Sequence, residues 1–143
     1  MRPIDRRAFL ELTAVLAAGA LGSGCASVAL LPVTPEGGVV RLRLRDVPQL
    51  AMPGGYLKIR PDGHAAPVYV LALADGGYAA VSPICTHLGC TVDVAGPRLI
   101  CPCHGSAYGR DGEVLRGPAE RALQRYPVEE LPEGTLLIHL ETA

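Results

Sequence analysis

Alternation of apolar and polar positions governs the middle of this chain. Val40, Leu42 and Leu44 alternate with Arg41, Arg43 and Arg45, the period-two pattern of a strand with one buried face. The arginines then form a solvated face. Turn residues at Met52-Pro53-Gly54-Gly55 and Pro61-Asp62-Gly63 bracket a short strand over Tyr56–Arg60. Val68–Leu73 and Tyr78–Ser82 flank Asp75-Gly76-Gly77 and predict a hairpin around a glycine turn. Leu123–Val128 and Thr135–Leu140 read as closing strands around Leu131-Pro132-Glu133-Gly134. His64, in a turn, and His139, in the last strand, read as surface residues.

A different pattern opens the chain. Arg2, Arg6 and Arg7 precede an uncharged run of 22 residues, Leu12 to Val33. As a helix that run spans about 33 Å, enough for a hydrocarbon core of roughly 30 Å. Arginines before an apolar run keep the N-terminus in the cytoplasm and place the body on the periplasmic or outer side of the membrane. Arg6-Arg7-Ala8-Phe9-Leu10 resembles a twin-arginine export signal, a route for folded proteins. Gly22-Ser23-Gly24-Cys25 resembles a lipoprotein processing site, with Gly22 where that pattern has Leu. Lipidation of Cys25 is the first expectation, an uncleaved anchor the second and simple cleavage the third. The expected organisation is a signal or anchor over 1–33, a linker over 34–38 and one domain over 39–143.

Composition narrows the domain. Gly 17 and Pro 13 make about a fifth of the 143 residues, which favours short strands joined by many turns. The chain has no Trp, and its single Phe9 lies in the leader, so Val, Leu, Ile, Ala and a few Tyr must build the core. The net charge of −1 indicates neither a nucleic-acid surface nor a polybasic membrane patch.

Cysteine usage changes the picture most. Four of the five cysteines fall between residues 85 and 103, in Cys85-Thr86-His87-Leu88-Gly89-Cys90 and Cys101-Pro102-Cys103-His104-Gly105-Ser106. Such clustering points to a metal site or a disulfide. Reduced to donors, the boxes are Cys-x-His and Cys-x-x-His, each with one further Cys. Two thiolates and two imidazoles can close a tetrahedral zinc site or hold an iron-sulfur cluster. One Cys and one His from each loop suits two metals better than one.

The two boxes resemble those of the Rieske iron-sulfur proteins, and the likeness extends through Tyr108 and Gly117-Pro118-Ala119. It implies an all-β fold: an antiparallel sandwich with the boxes on a small cluster-binding subdomain. It assigns Cys85 and Cys101 to one iron of a [2Fe-2S] cluster, and His87 and His104 to the other. It implies a Cys90–Cys103 disulfide, the mark of the quinol-oxidising branch as against the ring-hydroxylating oxygenases, and one compatible with export. Leu88 is expected at the exposed tip, with Gly117 and Pro118 in a loop shielding the cluster's other side.

The ligand set also carries a charge argument. Two ferric ions, two sulfides and four thiolates sum to −2, whereas two neutral imidazoles in place of two thiolates leave zero. A neutral site accepts an electron at less cost, and Rieske centres reach roughly −150 to +300 mV. Ser106 and Tyr108 match family positions whose hydroxyls donate to cluster sulfurs and favour reduction, implying a high potential. His87 and His104 are the candidates for catalysis, since a ligating imidazole can pass a proton through its second nitrogen. The resemblance thus implies an electron-transfer subunit rather than a complete enzyme. Its expected setting is a quinol-oxidising cytochrome bc-type complex, with cytochrome b, a c-type cytochrome and the membrane as partners. Alternatives are a subunit of another exported oxidoreductase, of the arsenite oxidase type, and a structural zinc module.

Overall fold

The computed structural model describes residues 29–141. The expected twin-arginine signal and the lipidation site at Cys25 lie outside these residues. Among the described residues no helix is long and apolar enough to cross a membrane.

Among the described residues twelve strands form three sheets. The first contains β1 (Leu30–Val33), β3 (Tyr56–Pro61), β4 (Val68–Ala72), β5 (Tyr78–Val81) and β10 (Arg125–Tyr126), in the order β1-β3-β4-β5-β10. The second is β11-β12-β2, with β2 at Val39–Arg43, β11 at Val128–Leu131 and β12 at Thr135–His139. The third runs β6-β7-β8-β9, over Asp93–Ala95, Arg98–Ile100, Ala107–Gly109 and Val114–Arg116. Every pairing is antiparallel except that of β1 with β3, where Leu30 lies opposite Lys58 and Val33 opposite Pro61. The expected all-β architecture is the one observed.

β4 is the spine of the molecule, with all five residues buried. Side chains alternate across a strand, so Val68 and Val70 enter one core while Tyr69 and Leu71 enter another. The first core lies between the five- and three-stranded sheets and takes in Val40, Leu42, Leu57, Ile59, Leu136 and Ile138. The second joins the five-stranded sheet to the small one. It contains Val81, Val92, Leu99, Tyr108 and Leu123 together with Cys85 and Cys101. The first core builds the base, and the second positions the two boxes on it.

Several local expectations change. The alternating strand ends at Arg43, and Leu44–Asp46 forms a 3-10 turn fastened by Leu44 N–H to the Gly134 carbonyl at 2.9 Å. The closing strand expected over Leu123–Val128 divides at Pro127, whose nitrogen cannot donate to a ladder. The chain crosses there from the five-stranded to the three-stranded sheet. Leu30–Val33, grouped by sequence with the apolar leader run, forms β1. Residues 34–38 form a turn closed by the Glu36–Val39 bridge, with Thr34 Oγ1 donating to Asp62 at 2.7 Å. Arg41 and Arg43 do face solvent.

His64 is half-buried rather than on the surface. Its Nδ1 lies 2.8 Å from the Ala66 carbonyl, which can only accept, so Nδ1 carries the proton. Nε2 then accepts from the Tyr126 hydroxyl at 3.3 Å. His139 is also half-buried.

Candidate metal centre

The two boxes differ in spacing yet make the same loop. In the first, Cys85 N–H donates to the Cys90 carbonyl at 2.8 Å and Gly89 N–H to the Cys85 carbonyl at 2.9 Å. In the second, Cys101 N–H donates to Ser106 at 2.8 Å and Gly105 N–H to Cys101 at 3.0 Å. Each turn closes through a left-handed glycine four residues after its cysteine, Gly89 at φ 80° and Gly105 at φ 76°. Side chains other than glycine are strained there, which accounts for both glycines in the motif.

Cys90 and Cys103 form a disulfide across the two loops, with Cα atoms 6.5 Å apart and a separation of 13 residues. Closing a loop of that length removes denatured-state entropy equivalent to about 3 kcal/mol. The double variant Cys90→Ser, Cys103→Ser is therefore expected to lose about 3 kcal/mol in denaturant unfolding. An unchanged unfolding midpoint would show that the bridge adds nothing to the fold.

Cys85 and Cys101 are free thiols, both buried. Above them the His87 and His104 rings meet edge to face, centroids 4.9 Å apart and planes at 88°. His87 is half-buried and His104 exposed. His87 Nδ1 is buried without a hydrogen-bond partner. A buried ring nitrogen is rarely left unsatisfied in a native protein, so this one fits a metal-ligating role.

Hydroxyl bookkeeping around the thiols is informative. The Tyr108 oxygen lies 3.2 Å from Cys85 Sγ, 3.2 Å from Thr86 N and 3.1 Å from Thr86 Oγ1. Thr86 N–H donates to it, and the Thr86 hydroxyl spends its own proton on the Arg121 carbonyl at 2.6 Å. The single Tyr108 proton is then shared between two acceptors, the Thr86 oxygen at 3.1 Å and the Cys85 sulfur at 3.2 Å. Burial, followed by the Cys85 sulfur itself, pushes the Tyr108 hydroxyl above its ordinary pKa and keeps it a donor. Ser106, fully buried, accepts from Ala119 N–H at 3.0 Å, so its hydroxyl proton also points elsewhere.

Burial pushes the Cys85 thiol up, but hydrogen bonds from Tyr108, the His87 backbone, Cys101 and Ser106 outweigh it and leave Cys85 below its ordinary value. Beside His87 a cleft of about 370 Å³ is lined by Thr86, Pro118, Ala119, Glu120 and Arg121. Leu88 stands at the tip, 68% exposed.

Donor spacing separates one metal from two. Bond lengths of about 2.0–2.3 Å put the donors of a tetrahedral zinc roughly 3.3–3.8 Å apart. Among the described residues, the donor atoms of Cys90, Cys101 and Cys103 gather within 4.8 Å, and two of these sulfurs are bonded to each other. No three of Cys85, His87, Cys101 and His104 have donor atoms all within 4.8 Å of one another, and two thiols with two imidazoles are a donor set that a binuclear cluster takes. The buried thiols, the unpartnered Nδ1 and the buried hydroxyls of Tyr108 and Ser106 all fit a [2Fe-2S] group.

One supporting residue escaped sequence reasoning. Arg110, only 8% exposed, sends Nε to the Ala72 carbonyl at 3.0 Å, Nη1 to Gly96 at 2.6 Å and Nη2 to Gly55 at 2.6 Å. It ties the small sheet to the base. Burial lowers its pKa.

Residues 41–127 match the Rieske [2Fe-2S] domain family. A chloroplastic cytochrome b6-f complex iron-sulfur subunit of Bigelowiella natans is 48% identical over 77 residues, 50% of this chain and 30% of the relative. The corresponding subunit of Chlorobaculum tepidum is 42% identical over 67 residues, 46% of this chain and 36% of the relative. The chain thus spans about a third of the length of these curated relatives. Among solved structures, the plasma membrane Rieske protein PetC3 from Synechocystis PCC 6803 is 35% identical with a TM-score of 0.51, covering 58% of this chain and 84% of that one. With two matching loops, an inter-loop disulfide and a family match over most of its described length, this chain is a member of the Rieske [2Fe-2S] family and carries one such cluster.

Proposed function

We propose that the chain is the high-potential electron-transfer subunit of a membrane quinol-oxidising complex of the cytochrome bc or b6-f type. Quinol supplies its electrons, and a c-type cytochrome receives them. The observation that carries this reading is the pair of buried hydroxyls, Ser106 and Tyr108, with the Tyr108 oxygen 3.2 Å from Cys85 Sγ and the Ser106 proton not spent on Ala119. Relatives named as cytochrome b6-f subunits and the Cys90–Cys103 bridge support the same branch.

In this reading Cys85 and Cys101 hold one iron and His87 and His104 the other. The bound cluster supplies one-electron transfer. His87 ligates through its buried Nδ1 and keeps Nε2 for a proton. His104, exposed like Leu88, offers its free nitrogen to the hydroxyl of quinol. Gly117 and Pro118 lead into Ala119, whose N–H orients Ser106. The leader exports the folded chain and holds it on the periplasmic or outer side of the membrane, through lipid on Cys25 or an apolar helix.

Ser106→Ala is expected to keep the cluster but lower its midpoint potential by on the order of 60 mV, a tenfold change in the reduction equilibrium. An unchanged potential would remove Ser106 from the tuning role. The assembly itself is tested by gentle solubilisation of membranes containing the tagged full chain. Co-purification with b-type and c-type haem polypeptides is expected; recovery with a molybdenum-containing subunit instead would overturn the assignment.

A further inference from the structure

The small sheet carries a bulge that aims a charge at the second box. Ala107 lies opposite Arg116 but Tyr108 lies opposite Val114, so Leu115 is the extra residue. It is 59% exposed. Bulges redirect the side chains that follow them. Here Arg116 turns back onto Gly105, with Nη2 and Nε donating to the Gly105 carbonyl at 3.1 and 3.3 Å.

Two consequences follow for the site. The carbonyl belongs to the Gly105–Ser106 peptide, so the guanidinium fixes the peptide between His104 and the buried Ser106. In a planar trans peptide the N–H points opposite the carbonyl, which turns the Ser106 N–H away from Arg116. Arg116 is exposed and has no ion-pair partner: among the described residues the ion pairs are Arg41–Glu36, Arg45–Asp46 and Arg125–Glu113.

Resting on the ligand set proposed above, we infer that Arg116 is a positioning residue of the electron-transfer site. Its guanidinium holds the second box through Gly105 and biases the bound cluster toward reduction. Reduction adds one electron and one negative charge, and a fixed positive charge nearby favours the more negative state.

The test is a redox titration of the full-length holoprotein with ascorbate and ferricyanide, followed by EPR. Arg116→Gln is expected to lower the reduction equilibrium constant a few-fold with the EPR line shape retained. Arg116→Lys, which keeps the charge, is expected to recover most of that loss. An unchanged potential in Arg116→Gln, or an equal fall in Arg116→Lys, would overturn the inference. If Arg116→Gln binds no cluster, Arg116→Met takes its place. Failure of both to bind while Arg116→Lys binds normally would also overturn it, since the charge would then serve assembly. Absence of a Rieske-type signal in the wild-type protein would instead refute the underlying ligand reading.

Discussion

Replacing His87 with alanine is expected to give a folded, disulfide-bonded chain that fails to assemble the [2Fe-2S] cluster. His87 Nδ1 is buried and unpartnered, while the residues of both cores are supplied by other positions. Its removal therefore takes away a metal donor without opening the core. Iron bound per chain and the visible absorption of the purified variant provide the readout, with the Cys90–Cys103 bridge checked by thiol titration. Wild-type iron content together with a wild-type visible spectrum would refute the assignment of His87 as a ligand.

The second large effect concerns the support beneath the site. Arg110→Met is expected to destabilise the fold by roughly 3–5 kcal/mol in denaturant unfolding, because carbonyls of Ala72, Gly96 and Gly55 lose a charged donor together. Methionine fills much of the volume, so packing loss contributes little. Arg110→Lys is expected to restore only part of the stability. One ammonium on a flexible stem lacks the planar fork that reaches three separated acceptors. A loss below about 1 kcal/mol in Arg110→Met would show that these carbonyls find water instead.

The strands that alternate or sit between glycine turns were legible from sequence, as β2, β3, β4, β5 and β12 show. Their patterns are local, and each lies within a residue or two of its expected position. β1 was not legible, because Leu30-Leu31-Pro32-Val33 continues the apolar composition of the leader and its partner β3 lies across a sheet crossover. The division at Pro127 was in principle visible, since proline interrupts a ladder. Its consequence, a change of sheet, depends on tertiary packing.

The site divides in the same way. Metal donors at fixed spacing are sequence-local chemistry, so the boxes could be read directly. The identity of the two loops could not: Cys-x-His and Cys-x-x-His look unequal until the glycine four residues after each cysteine is seen to close the same turn. Arg110 gave no signal, because its acceptors lie 14, 38 and 55 residues away. His64 misled as a turn residue, since Tyr126, which half-buries it, comes 62 residues later.

The central claim is that Cys85, Cys101, His87 and His104 together hold a two-iron cluster with mixed ligation. EPR spectroscopy of the full-length protein, purified with its metal and reduced with ascorbate, tests it most directly. The account predicts the low-field-shifted spectrum of a reduced [2Fe-2S] centre with imidazole on one iron. A protein that binds zinc and gives no reduced-cluster signal would contradict it.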